Sequence, residues 1–145
     1  MATRISKNFT LEELYASDTA SRLRISNVPT QSATCNLCAL AHNVLQPLRD
    51  YAKKAIKLNS GYRCAALNKA VGGVNNSQHM LGEAADINIG GDLTQGKKWF
   101  EWIKTHCEYD QLIWEHNAAG EYWIHVSYRA DGKNRKQVID NLLKK

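Results

Sequence analysis

The sequence predicts an α+β fold, a small antiparallel sheet flanked by helices, in a single domain over residues 1–145. Three observations lead there. Apolar residues recur at helical spacing over 31–57 and again over 94–107; "GEAADINI" alternates with period two; and "YDQLIWEHNAAGEYWIHVSY" holds two apolar runs about a turn. Helices grouped beside a hairpin and a lone strand, rather than alternating strand and helix, are the α+β pattern. A chain of 145 residues buries about two thirds of its unfolded surface, so a core can form without disulfides.

Taken in order, "FTLEELYAS" opens with Thr10 three residues before Glu13, a capping box that starts a short helix. "RISNVPTQ" reads as a loop. The long apolar stripe from Gln31 to Lys57 (Leu37, Leu40, Ala41, Val44, Leu45, Leu48, Tyr51, Ala52, Ile56) contains Pro47, so the helix is either kinked there or restarts. "IKLNSGYR" is a short strand entering a turn, and "CAALNKAV" is a helix closed by Gly72 and Gly73. In "GEAADINI", Ala85, Ile87 and Ile89 share one face of a strand and Asp86 and Asn88 the other. "TQGKKWFEWIKTHC" starts at a Thr94 cap and carries Trp99, Trp102, Ile103 and Cys107 on one stripe. The hairpin turns at "NAAG", and "NRKQVIDNLLKK" is expected to close the fold as a helix.

Composition excludes several classes. With 43% hydrophobic and 23% charged residues the chain is globular rather than disordered. No run of about 18 apolar residues occurs, and "MATRISKNFTLEELYAS" lacks a signal-peptide core, so synthesis in the cytoplasm and no membrane insertion are expected; nothing in the sequence argues against a monomer, which is the expected state. The net charge of +5 suits an anionic polymer, but the basic residues form no single arm, so nucleic acid is not the expected partner. "CNLC" has redox or half-zinc spacing, yet Cys35 and Cys38 lie in a helical pattern with no second pair; with Cys64 and Cys107 they read as reduced thiols.

The residues that carry chemistry lie in "SQHMLGEAADIN". A turn at Gly82 could fold His79 back over the strand bearing Asp86, and His125 lies in the second hairpin strand, where Trp123, His125 and Ser127 share a face. Two imidazoles and a carboxylate with an open water position form a common catalytic Zn²⁺ set.

"SQHMLGEAAD" resembles the SxHxxGxAxD signature of the zinc D-Ala-D-Ala carboxypeptidases and L-alanyl-D-glutamate endopeptidases, whose fold is shared with the hedgehog signalling domain. "WIHVS" is similar to that family's second histidine strand, and "SGYRCAALNKAVGG", "VLQPLRD" and "YDQLIWE" extend the likeness from about Phe9 to Tyr128. The resemblance implies a zinc peptidase with His79, Asp86 and His125 as ligands and Arg63 as the cation that holds a substrate carboxylate or polarises the scissile carbonyl. It implies that Ser77 supports the turn or a ligand through its hydroxyl and that Gly82 admits a backbone a side chain would obstruct.

Several members carry an acid three positions before the last histidine ligand; here that position is Tyr122. Glu115 and Glu121 remain as candidates for the general base. Glu121 lies four residues from His125, about 13 Å along a strand, whereas Glu115 shares the His125 face if it pairs opposite Trp123 or His125. His116 borders the site and could stabilise an oxyanion; His42 and His106 have no partner pattern. The expected activity is hydrolysis of peptidoglycan peptides by a phage-type endolysin that reaches the wall through a separate pore. A non-catalytic zinc-containing binding domain of the same fold is the alternative. Which bond is cut is not written in the motif.

Overall fold

The computed structural model describes residues 2–141. Their order is β1 (Arg4–Ser6), β2 (Phe9–Thr10), α1 (Leu11–Tyr15), α2 (Asp18–Leu23), α3 (Gln31–Leu40), a π-helical turn (Ala41–Leu45), α4 (Gln46–Ala52), β3 (Lys57–Ser60), α5 (Ala65–Ala70), a 3₁₀ turn (Gln78–Leu81), β4 (Ala84–Asn88), α6 (Leu93–His106), β5 (Gln111–His116), β6 (Tyr122–Ser127) and β7 (Gln137–Asp140). A five-stranded sheet runs β3-β4-β6-β5-β7, and β1 with β2 forms a separate two-stranded sheet.

The main sheet is mixed, a correction to the antiparallel expectation. Strands β3, β4, β6 and β5 pair antiparallel, but β7 runs parallel to β5. Of the helix expected over 134–145, residues 137–140 are a strand and 134–136 and 141 are irregular; the part from Leu142 lies outside the described residues. The backbone groups on the outer edge of β5 need partners. A segment beginning where Gln137 N–H donates to the Asp110 carbonyl (3.0 Å) supplies them.

One face of the sheet is apolar. Ala85 and Ile87 of β4, Ile124 and Val126 of β6, and Leu112 and Trp114 of β5 are buried in one cluster with Leu37, Leu45 and Leu48 of the helical segment and Phe100 and Ile103 of α6. Phe100 stacks on Trp114 with ring centroids 5.0 Å apart. Side chains alternate along strands, so the opposite face carries Asp86 and Asn88, Trp123 and His125, and Glu115. That face holds the site.

The helix ends follow from local chemistry. Thr10 and Glu13 form the expected capping box. The α2 helix, not anticipated, starts where Ser17 Oγ accepts from Ala20 N–H. Asp92 rather than Thr94 caps α6, accepting from Gln95 N–H at 3.0 Å. Around Pro47 the helix neither breaks nor restarts: Gln46 N–H bonds back to the Ala41 carbonyl, a π turn that widens the ladder just before the residue that cannot donate. All four cysteines are free thiols. Burial raises the Cys38 thiol and pushes Cys107 up to about 11, the reverse of what a reactive thiolate needs.

Candidate metal centre

His79 rides on the 3₁₀ turn between Ser77 and Gly82. Ser77 Oγ accepts from His79 N–H at 3.1 Å, capping the turn, and Gly82 ends it at φ +76°. A Cβ on Gly82 would lie 2.4 Å from the Ala33 carbonyl oxygen, so the left-handed conformation and the close approach to α3 both require glycine. Strand β4 starts two residues later, and Asp86 pairs directly opposite His125 of β6. The turn thus lowers a histidine onto a ready-made pair.

The three side chains converge. Asp86 Oδ1 lies 3.3 Å from His79 Nε2 and 3.1 Å from His125 Nδ1, and the ring centroids of the two histidines are 5.2 Å apart. The Nδ1 of His79 donates to the Gly61 carbonyl at 2.7 Å, so a neutral ring directs the Nε2 lone pair at Asp86. A lone pair and a carboxylate oxygen at that distance repel unless a cation lies between them. Ligands at roughly 2.0–2.1 Å from a tetrahedral zinc stand about 3.3 Å apart, the separation these donors have. The backbone carbonyl behind His79 is the usual outer partner of a metal-binding imidazole. Burial works against ionising Asp86, yet the two imidazoles beside it, His125 and His79, outweigh it and hold the carboxyl well below its usual range. The donor set therefore fits a metal ion.

A cavity of about 350 Å³ opens onto these ligands, lined also by Arg63, Ser77, Glu115 and Trp123. Glu115 pairs opposite Trp123, which makes it a diagonal neighbour of His125 on the same face, roughly 7–8 Å away between backbones. Arg63 is the turn residue after Gly61 and Tyr62. Burial lowers its guanidinium from the ordinary value, opposed by the charges of Asp86 and Glu115, and its buried Nε has no hydrogen-bond partner among the described residues.

Two other sequence candidates sit apart. Glu121 belongs to the hairpin turn, exposed, where it accepts from Asn117 Nδ2 at 3.1 Å. His116 pairs with Tyr122 and stacks obliquely against its ring, on the face of the sheet opposite Glu115. His106 lies beyond the core on α6, stacked on Trp102.

Sequence reasoning missed two residues that hold the site. Asn27, buried in the expected loop, donates through Nδ2 to the carbonyls of Tyr15 and Tyr62 at 2.8 and 3.0 Å and accepts from Cys64 N–H at 2.8 Å. It clamps the segment carrying both the Gly61 carbonyl and Arg63. Asp110, also buried, accepts from Gln78 Nε2 (3.0 Å) and from Arg135 through Nε and Nη2, tying the histidine turn to the start of β5. No periodic signal marked either residue, and although Asp110 lies within "YDQLIWE" nothing there set it apart from its neighbours.

A sheet face that presents two imidazoles, a carboxylate, a second carboxylate and a buried guanidinium around one cavity has the donor set of a metal centre with charged groups beside it. The chain belongs to the peptidase M15 family, whose model matches residues 7–127. A stretch of 37 residues, 26% of the chain, is 49% identical to the zinc D-Ala-D-Ala carboxypeptidase of Streptomyces albus G. The match spans 14% of that relative's length.

Proposed function

We propose that the protein is a zinc-dependent peptidase that hydrolyses peptide bonds of bacterial peptidoglycan, acting at the cell wall as a phage-type endolysin and as a monomer. The observation that carries the reading is the meeting of His79 Nε2, Asp86 Oδ1 and His125 Nδ1 at a cavity that also holds Glu115 and Arg63.

Zinc held by His79, Asp86 and His125 would supply Lewis acidity and bring the pKa of water to about 7. Glu115, on the same face as His125, takes a proton from the attacking water and returns it to the leaving amine. Arg63 offers a planar, charged fork to a substrate carboxylate or to the charge that develops on the scissile oxygen. Its lack of an internal partner at Nε is consistent with a group kept for a ligand. Tyr122 stands where several relatives have an acid, but its side chain shares the Trp114 face, so Glu115 supplies the carboxylate from the neighbouring strand.

Digestion of purified peptidoglycan, with mass spectrometry of the new ends, tests the reading. Native protein, zinc-depleted protein restored with zinc, and zinc-loaded Glu115→Ala and Glu121→Ala variants are compared. New ends that require zinc and vanish in Glu115→Ala are expected, and their identity gives the bond. Folded, zinc-loaded protein that releases nothing from several wall types would favour a non-catalytic binding domain instead.

A further inference from the structure

The helical layer that covers the apolar face of the sheet carries an aromatic column at its surface. Tyr51 of α4 stacks on Trp102 of α6 with ring centroids 5.0 Å apart and planes at 15°, and Trp102 stacks on His106 at 4.9 Å and 10°. Three nearly parallel rings thus bridge two helices. His106 Nδ1 donates to the Trp102 carbonyl at 3.1 Å, and Lys54 Nζ donates to Gln95 Oε1 at 2.7 Å, so the last ring and the two helices are held in place. Tyr51 is nonetheless 43% exposed. It lines two adjoining depressions, of about 420 and 470 Å³, and Lys98 lines both with it.

The charges around the column are mixed but unbalanced. Lys53, Lys54 and Lys98 line the first depression with Asp92, and Lys97 and Lys98 line the second with Glu101. Four lysines stand against two carboxylates, and none of the four forms an ion pair among the described residues. Asp92 is already engaged as the cap of α6. A ligand that satisfies this lining needs an apolar ring face for Tyr51, hydroxyl donors for the carboxylates, and anionic groups for the lysines. A sugar ring supplies the first two, and an acidic substituent on it supplies the third. A nucleic-acid strand fits less well: it has a phosphate at every unit for the two carboxylates to repel, and few hydroxyl donors.

We infer that this face of α4 and α6 is a binding surface for an anionic glycan, with Tyr51 as its apolar contact and Lys97, Lys98, Lys53 and Lys54 as its charged ones. The surface is separate from the metal centre. Helix α6 packs on the apolar face of the sheet, through Phe100 and Ile103, whereas Asp86 and His125 project from the other face. A polymer held on the helices therefore leaves the metal-lined cavity open, and it keeps the protein at a high effective concentration beside whatever is attached to that polymer. The net charge of +5 works in the same direction.

Calorimetry on the zinc-loaded protein at low salt tests the surface. The probes are polygalacturonate, which carries carboxylates, and dextran sulfate, with neutral dextran, oligo(dT) and phosphatidylglycerol vesicles for comparison. At least one of the two charged polysaccharides should bind about tenfold more tightly than each of the comparison ligands, and added salt should weaken that binding. Which of the two binds more tightly identifies the acidic group. Tyr51→Ala should weaken the binding by about tenfold, and the double variant Lys97→Glu/Lys98→Glu by about as much. Both variants should melt with zinc as wild type does and cleave a short soluble peptide at the wild-type rate. Affinity unchanged in both variants overturns the surface, as does equal affinity for neutral dextran. Equal or tighter binding of oligo(dT) or of vesicles overturns the glycan as its ligand. Variant-sensitive glycan binding by a protein that cleaves no peptide supports the surface and overturns the peptidase reading, and peptide cleavage without glycan binding does the reverse.

Discussion

The hydrogen bond from His79 Nδ1 to the Gly61 carbonyl decides which imidazole nitrogen faces Asp86, and so whether the site is a proton-sharing cluster or a metal site. Fixing the tautomer from the backbone leaves Nε2 free for a cation. Glu115 is different: it lines the same cavity but makes no hydrogen bond to any of the three ligands, as a mobile proton carrier requires. Glu115→Gln is expected to lower kcat by about 10²- to 10⁴-fold while the zinc content, measured by atomic absorption, stays at one per chain. Loss of metal along with activity would make Glu115 a structural support for the ligands. His79, Asp86 and His125 were legible in the sequence through the resemblance of "SQHMLGEAAD" and "WIHVS" to a zinc peptidase signature; the turn at Gly82 and the alternation around Asp86 alone only allowed them to meet. Asn27 was not, because a single amide in a loop has no period, and its partners are backbone atoms of distant segments.

Among elements, the 3₁₀ turn is held from two sides: Gly82 lets it lie against α3, and Gln78 ties it to Asp110. Gly82→Ala forces both a left-handed alanine and a contact with the Ala33 carbonyl. We expect it to cost about 1–3 kcal/mol in urea unfolding and to weaken zinc binding, since His79 rides on the displaced turn. Asp110 adds a pH dependence. Hydrogen bonds from Arg135, opposed by burial, hold its carboxyl below the ordinary value. Its contribution is therefore complete above the unfolded value of about 3.9 and is lost as the pH falls through the lower folded value. Asp110→Asn should destabilise the protein by about 1–3 kcal/mol at pH 7, and the gap between variant and wild type should narrow below about pH 4 in urea melts. A gap that stays constant from pH 7 to 3 would show that the charge of Asp110 contributes nothing. The elements were legible where a period ran long, as in α6 and the hairpin. They were not where tertiary pairing overrode the local pattern: β7 satisfies the edge of β5 although Val138 and Ile139 follow no strand signal, and the π turn before Pro47 answers a missing donor that sequence alone could have met with a kink.

For the molecule as a whole, a ligand set drawn from the histidine turn, β4 and β6 couples metal binding to the stability of the entire fold. A metal that binds only the native state adds RT ln(1 + [L]/Kd), about 4 kcal/mol at a thousandfold excess over Kd. For a chain of this size that corresponds to a rise in Tm of about 10 °C. Calorimetric melting with zinc and with a chelator checks this, and identical melting curves would remove the metal from the site. Strand β6 also has a consequence in time. It is paired on both sides, by β4 and by β5, yet it arrives late in the chain. While a ribosome is still delivering the residues before 122, β4 has no partner on that side, and His79 and Asp86 have been made without their third companion. A nascent chain thus carries the signature stretch long before it carries a complete site, and its three donors meet only when the last antiparallel strand drops into the middle of the sheet.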